Sequence, residues 1–376
     1  MSYFDFGATT PVSKEVYEAM TPFLSEKFGN PNAKYYDLAV EAKEAITNAR
    51  SIVAKYFDVT PEECIFTSGA TESNNFIIKG VAGRYQKPAH MITSSIEHSS
   101  ILESMKYLET QGWKITYLGV NHEGKVSPDD LANSITQETK LISIGYVNSE
   151  IGTIQDLEKL SGIASEKNVL FHTDATQALG KIRISSSTLR QVTFISLSSH
   201  KIYGPKGSGA AIIKRDLDGV PFKIVPLIHG GEQEFGYRGG TLNVPGIIGM
   251  AKALEMISDH NYLQAALKRV SELEKQFVIT IKDIFGDNIE FINSFKDRAK
   301  GIISIRFKGI NNQIFLKKTA HVFSASTGSA CSNTKPSHVL ASIGLSPNEV
   351  REIVRFTIGH TTTVDQINKI SILFNK

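Results

Sequence analysis

Cysteine is scarce in this chain: its 376 residues hold two, Cys64 and Cys331. Two thiols so far apart give no disulfide framework, which argues against a stapled secreted scaffold and for a reducing compartment. Long apolar runs are missing as well. No stretch approaches the ~20 residues that cross a bilayer, and the opening Met-Ser-Tyr-Phe-Asp-Phe-Gly lacks the basic-then-apolar order of a secretory leader. A soluble, cytoplasmic protein is expected. Neither charge sign is in excess, since 41 Lys and Arg stand against 38 Asp and Glu for a formal +3. That bias is too small to predict direct nucleic-acid or membrane binding. There is no Walker GxxxxGK[ST] motif, and Gly207-Ser-Gly209 lacks the third glycine of a dinucleotide fingerprint, so nucleotide binding is disfavoured. No metal site is expected. Linker composition, low-complexity tracts and internal repeats are also lacking.

What is present is enough apolar residue, 41%, to fill a sizeable core, and enough length for one large and one smaller domain. After an extended start, 13–28 and 38–56 show helical spacing, separated by the turn-forming Gly29-Asn-Pro-Asn. From Cys64 onward, short apolar runs (64–67, 90–95, 115–120, 141–147, 169–174, 194–199) alternate with longer helical patterns. This is the βαβ signature, and it predicts an α/β fold whose mainly parallel sheet is sandwiched by helices. Ligands of such sheets bind beyond the carboxyl ends of the strands. Around Asp259 the pattern changes to a long charged helix over 263–285, then strands over 289–292 and 302–307. The expectation is a large domain over 15–258 and a small α/β domain over 259–376, which the lead-in 1–14 joins because it has nothing else to pair with.

The strand ends carry the chemistry. The segment Ser196 to Gly209 sets Lys201 where an apolar run gives way to glycine punctuation. A lysine is ordinarily a solvated surface charge. Poor solvation would lower its pKa and free an amine able to form a Schiff base with an aldehyde. Another strand ends in Thr67-Ser-Gly-Ala-Thr-Glu-Ser-Asn-Asn75 and leads into a helix over 76–85, with Thr71 at the helix N-terminus. That geometry suits a phosphate, although a simple N-cap reads the same way. Further strand ends hold Glu97-His98, Asn148, Asp174 with Gln177, and Ser198-Ser199-His200. Singly, each is a hydrogen-bonding group of the kind any buried loop contains. Together, a phosphate cradle, a stacking imidazole, an isolated carboxylate and an amine make the set that pyridoxal phosphate needs.

At this point the motifs become recognisable. Ser68-Gly-Ala-Thr-Glu-Ser-Asn, Glu97-His98, Val147-Asn-Ser-Glu-Ile-Gly152, Asp174-Ala-Thr-Gln177, Ser199-His-Lys-Ile-Tyr-Gly-Pro-Lys-Gly and Gly328-Ser-Ala-Cys331 together resemble the NifS/IscS-type cysteine desulfurases, nearly end to end. Those are fold-type I, class V aminotransferase-like pyridoxal 5'-phosphate enzymes. The resemblance implies that Lys201 binds the cofactor aldehyde, that His98 stacks on the ring and assists proton transfer, that Asp174 holds the pyridine nitrogen, and that Gln177 holds the phenolic oxygen. Ala70, Thr71, Ser198, Ser199 and His200 would line the phosphate side, joined by Thr241 from a second subunit of a homodimer. Asn148 and Arg355 would bind the carboxylate of L-cysteine, the latter through its planar guanidinium. Cys331 would take the substrate sulfur as a persulfide, leaving alanine, and pass it to a sulfur-acceptor protein. Spacing alone leaves Cys331 equally readable as a free surface thiol. Cys64, between apolar neighbours, reads as a buried small hydrophobe.

Some positions depart from the pattern. Four residues separate Cys331 from Pro336, fewer than in the IscS-like branch, so a partner or a loop movement is expected to be needed for full speed. Tyr36, Ala39 and His360 stand where many relatives carry histidine, glycine and arginine. The short loop and Tyr237-Arg-Gly-Gly-Thr-Leu-Asn-Val-Pro resemble the DndA branch, which supplies sulfur for DNA phosphorothioation; iron–sulfur assembly is the other destination left open. The competing readings are a selenocysteine lyase, a class V aminotransferase, and a non-enzymatic scaffold. Cys331 argues against the plain aminotransferase; Lys201, Asp174 and His98 together argue against the scaffold.

Overall fold

The computed structural model describes residues 2–216, 218–292, 296, 298–328 and 336–374. Cys331 lies outside the described residues. Twelve strands are seen among them: β1 (Ser2–Tyr3), β2 (Cys64–Thr67), β3 (His90–Ser94), β4 (Lys114–Leu118), β5 (Thr139–Ser143), β6 (Leu170–Asp174), β7 (Phe194–Ser198), β8 (Gly209–Ile213), β9 (Ile289–Phe291), β10 (Ile302–Phe307), β11 (Phe323–Ser324) and β12 (Ile353–Thr357). Seven of these form one sheet in the order β2-β8-β7-β6-β5-β3-β4. Only β8 runs against the others, so the carboxyl ends of β2, β3, β5, β6 and β7 emerge along one edge.

Both faces of this sheet are covered, which is why its strands read as unbroken apolar runs. Side chains alternate between two cores. Ile65, Met91, Leu141 and Phe194 pack against Phe76, Ile77 and Val81 of the helix Ala70–Ala82. Their neighbours Phe66, Ile92, Ile142 and Ile195 pack on the opposite side, where the helices Asp37–Phe57 and Val244–Ser258 lie. A third core is built on the antiparallel sheet β12-β10-β9. There Phe4 of the lead-in meets Phe277 at 5.5 Å between ring centroids, and Phe277 meets Phe356 at 5.1 Å. The lead-in is tied to this region by β1, which pairs parallel with β11.

Three element boundaries differ from the sequence reading, each for a local reason. The helix expected over 76–85 starts six residues earlier, at Ala70. Polar residues of its first turns find partners inside the protein, as where Ser73 Oγ meets Thr67 Oγ1 at 2.8 Å. Strand β5 begins at Thr139 and ends at Ser143, because Val147 turns aside to bridge Ile154 instead of continuing the sheet. The helical spacing over 13–28 holds a helix at Lys14–Met20 and a short turn of helix at Pro22–Ser25, because Pro22 cannot donate to the preceding turn.

Candidate active site

A cavity of about 470 Å³ opens along the edge where the strands end. Ala70, Thr71, His98, Asn148, Asp174, Gln177, Ser198, His200, Lys201 and Arg355 all line it. Two residues singled out from the sequence do not. Ser199 is fully buried beneath the turn after β7, where a Cβ on Gly204 would lie 1.9 Å from its Oγ; only glycine permits that close approach. Its hydroxyl therefore faces the turn and not the cavity. Thr241 is exposed and lies outside the cavity wall formed by its own chain.

Lys201 closes the short helical turn Ser199–Lys201 that follows β7, and it is half-buried. Its Nζ donates to the carbonyl oxygens of Gly7 and Ala8, both at 2.6 Å. The lead-in thus forms one wall of the site, which the sequence reading did not foresee. The neighbouring His200 has Nδ1 3.1 Å from Thr9 Oγ1. Burial, followed by the charges of Lys201, Lys206 and Lys181, pushes its imidazole down to about 4. Lys181 is itself pushed down to about 7 by burial and then by Lys201 and Arg355, and its Nζ is buried without a hydrogen-bond partner. Lys201 and Lys206 supply the positive charge at this end of the cavity.

Facing it is the N-terminus of the helix Ala70–Ala82, whose first amides have no intrahelical partner. Gly69 carries φ 147°, and a Cβ on Gly209 would lie 2.5 Å from Gly69 Cα, so this pair of glycines lets β2 and β8 approach closely here. The acid in the first turn, Glu72, is drawn away by Arg238 at 3.0 Å and by the Ser68 amide at 2.9 Å. Amides, Thr71 and nearby lysines form a cradle for an anion such as phosphate.

Asp174 is not the isolated carboxylate the sequence suggests. Oδ1 accepts from the Thr176 amide at 2.9 Å, and Oδ2 accepts from Asn74 Nδ2 at 2.8 Å. His98 caps the helix Ser99–Thr110, its Nδ1 accepting from the Ser100 amide at 3.1 Å. Beside it, Glu97 is buried, with Oε1 bonded to Ser94 Oγ at 2.5 Å and Oε2 to the Gly145 amide at 2.9 Å.

Burial pushes the Glu97 carboxyl up to about 7, against the pull of those two bonds. A carboxyl raised from about 4.5 in the unfolded chain contributes stability at low pH that is lost as pH rises through its folded value. The loss from this group is about 3 kcal/mol between pH 4.5 and 7. Glu97→Gln keeps the shape and has no charge to bury, so its stability should be flatter over that window. Denaturant melts of both proteins at pH 5 and pH 7.5 check this.

At the far end, Arg355 is buried between β10 and the lead-in, with Nη2 2.8 Å from Asp5 Oδ1 and Nη1 3.1 Å from the Ser149 carbonyl oxygen. Burial raises the Asp5 carboxyl and the guanidinium draws it back. Asn148 is occupied within its own loop: its Nδ2 donates to the Ile96 carbonyl oxygen, and its Oδ1 accepts from the Glu150 and Ile151 amides. Gln177 Nε2 donates to the Gly7 carbonyl oxygen at 2.9 Å. Three atoms here are buried without a hydrogen-bond partner: Gln177 Oε1, Thr176 Oγ1 and Arg355 Nε.

Residues 2–370 match the aminotransferase class V family. The chain is 43% identical to cysteine desulfurase IscS of Dictyoglomus turgidum over 371 residues, covering 97% of this chain and 91% of that protein. It superposes on a solved NifS-like protein with a TM-score of 0.90 at 36% identity, covering all of both chains. A second solved structure, SspA in complex with cysteine, gives 0.81 at 38% identity over 96% of this chain and 100% of that one. The fold and the sequence match therefore define a class V aminotransferase-type chain, built on the fold-type I scaffold of pyridoxal phosphate enzymes. Within that class, the protein belongs to the IscS/NifS-type cysteine desulfurase family.

The site fits the cofactor of that family on its own chemistry. A phosphate would meet the cationic end and the helix amides, a pyridinium nitrogen would meet Asp174, and the orphaned polar atoms beside Gln177 would gain partners.

Proposed function

We infer that the protein is a pyridoxal phosphate-dependent cysteine desulfurase that converts L-cysteine to L-alanine and holds the sulfur as a persulfide on Cys331. The observation that carries this reading is the convergence of Lys201, Asp174 and the anion cradle on one cavity. When bound, the cofactor serves as an electron sink that lets the Cα proton of the substrate leave. The residues of the chain do the rest. Lys201 holds the cofactor and moves that proton at Nζ, and Asp174 keeps the ring nitrogen protonated. His98 would stack on the ring. Ala70, Thr71, Ser198 and His200 hold the phosphate, Gln177 the phenolic oxygen, and Arg355 with Asn148 the substrate carboxylate.

Electrons and atoms balance without a further reagent. The C–S bond of cysteine breaks, its carbon gains a proton and becomes the methyl group of alanine, and the sulfur joins the Cys331 thiolate. The substrate carbon is reduced by two electrons and the protein thiol is oxidised to the persulfide. A sulfur-acceptor protein then removes the outer sulfur, for iron–sulfur assembly or DNA phosphorothioation. A cytoplasmic setting suits a chain with two cysteines and no disulfide framework. The separate core around Phe4, Phe277 and Phe356 supports the two-domain division at 15–258.

Thr241, outside the cavity wall of its own chain, completes the phosphate site of a second copy. Leu24, Phe28, Tyr35 and Phe235 are 60%, 66%, 95% and 54% exposed, apolar surface that a homodimer can cover. Light scattering should give twice the chain mass; a monomer that consumes cysteine at full rate contradicts the interchain contact. The overall reading is tested by offering L-cysteine, L-selenocysteine, and L-alanine with a 2-oxo acid. Release of alanine from cysteine with stoichiometric sulfur supports it. Turnover of selenocysteine alone, or amino-group exchange alone, replaces it with the lyase or the aminotransferase.

A further inference from the structure

We propose that Asn74 is a positioning residue that ties Asp174 to His98 through Ser100 and backs the Ser100 amide in keeping the imidazole proton off Nδ1. Its catalytic consequence rests on the desulfurase reading above; the hydrogen-bond order stands on geometry alone.

Asn74 is fully buried in the helix Ala70–Ala82, and the function so far assigns it nothing. Its side-chain nitrogen lies 2.8 Å from Asp174 Oδ2 and 2.8 Å from Ser100 Oγ. A carboxylate oxygen can only accept, so the amide must turn its NH2 toward Asp174, and both N–H groups are then used. The other end of the amide, Oδ1, is buried without a partner. The side chain is therefore oriented by its two acceptors and by nothing else.

The consequence passes to His98. Ser100 Oγ accepts from Asn74, and its own hydrogen points to His98 Nδ1, 2.9 Å away. The Ser100 amide donates to the same Nδ1 at 3.1 Å. An imidazole nitrogen that faces two donors carries a lone pair, so the ring proton sits on Nε2. One side-chain amide thus holds the carboxylate assigned to the pyridine nitrogen and orders the hydroxyl that joins the Ser100 backbone amide against Nδ1 of the stacking imidazole.

The relay has a direction, and the direction can be reversed. In Asn74→Asp the new carboxyl shares one proton with Asp174, 2.8 Å away in the wild type. Its other oxygen accepts the Ser100 hydroxyl hydrogen, which leaves Ser100 Oγ as an acceptor facing His98 and draws a proton onto Nδ1. Adding Ser100→Ala to that variant removes the messenger, and the Ser100 backbone amide alone should restore the original tautomer. Asn74→Leu keeps the volume and loses the bond to Asp174; about a tenfold fall in kcat with little change in KM is expected, the scale of one hydrogen bond to a charged group.

The test is nitrogen NMR of the full-length, cofactor-loaded protein with 15N-labelled imidazoles, assigning His98 by difference from His98→Gln. Wild type should show Nδ1 bare and Nε2 protonated at pH 8. Asn74→Asp should move the Nδ1 signal to the protonated position, and Asn74→Asp with Ser100→Ala should return it. A wild-type proton on Nδ1, or an Asn74→Asp signal that does not move in a folded protein, overturns the proposal. Should Asn74→Asp fail to fold, the wild-type spectrum and the Asn74→Leu kinetics still decide it. Absence of alanine production from cysteine would count against the desulfurase reading and leave these nitrogen signals as valid as before.

Discussion

Lys201→Ala should leave a folded protein that has no yellow absorbance from a lysine-bound cofactor and no measurable turnover of cysteine. In the proposed reaction Nζ both holds the cofactor and moves the substrate proton, and loss of a positioned acid–base group alone costs on the order of 10²–10⁴-fold. The fold should survive. Lys201 ends a three-residue turn whose backbone bonds run from Ser199 to Ile202 and Gly204, and the two carbonyl oxygens it leaves, on Gly7 and Ala8, border an open cavity that water can enter. Borohydride reduction of the wild type followed by peptide mapping should place the cofactor on Lys201. Label on Lys206, which also lines the cavity, would overturn the assignment.

The second large effect is a separation of two halves of the reaction. Cys331→Ser should bind cofactor and cysteine as the wild type does, yet release no alanine and carry no persulfide. A serine hydroxyl keeps the size of the thiol but is not ionised near neutrality, whereas a free thiol has a pKa of about 8.5 and supplies some thiolate. The other cysteine is the internal control. Cys64 lies in β2 with no exposure, and burial pushes its thiol up to about 12. It is therefore protonated and out of reach, and Cys64→Ser should make alanine and persulfide at the normal rate. Rapid-mixing absorbance on both variants checks the pair. Alanine production undiminished in Cys331→Ser would favour the lyase or aminotransferase.

Much of this site was legible before any coordinates, because a parallel sheet converts sequence order into spatial convergence. Each strand of the large sheet is an apolar run, each ends at the same edge, and polar residues at those ends meet whatever their separation in sequence. That is how Thr71, His98, Asp174 and Lys201 could be grouped from spacing alone. The groups that were not legible are held by contacts between distant segments. Asp5 pairs with Arg355 and Gly7 accepts from Lys201 because the lead-in crosses the cavity, and no local pattern records that crossing. A run of Thr, Glu, Ser and Asn has modest helix propensity, so the sequence pattern leaves Asn74 outside the helix expected over 76–85. Its burial against Asp174 outweighs that propensity. Ser199 shows the opposite failure: it sits at a strand end among lining residues, yet the close approach of Gly204 turns it inward.

The central claim is that sulfur leaves cysteine for one particular thiol. Incubation of the wild type with L-cysteine under anaerobic conditions, followed by digestion and mass spectrometry, measures it directly. One added sulfur on the peptide that contains Cys331, reversed by a thiol reductant and matched by alanine released in equal amount, is the predicted result. Sulfur on Cys64, or alanine formed while both cysteines remain unmodified in a protein with no sulfur acceptor present, would contradict it.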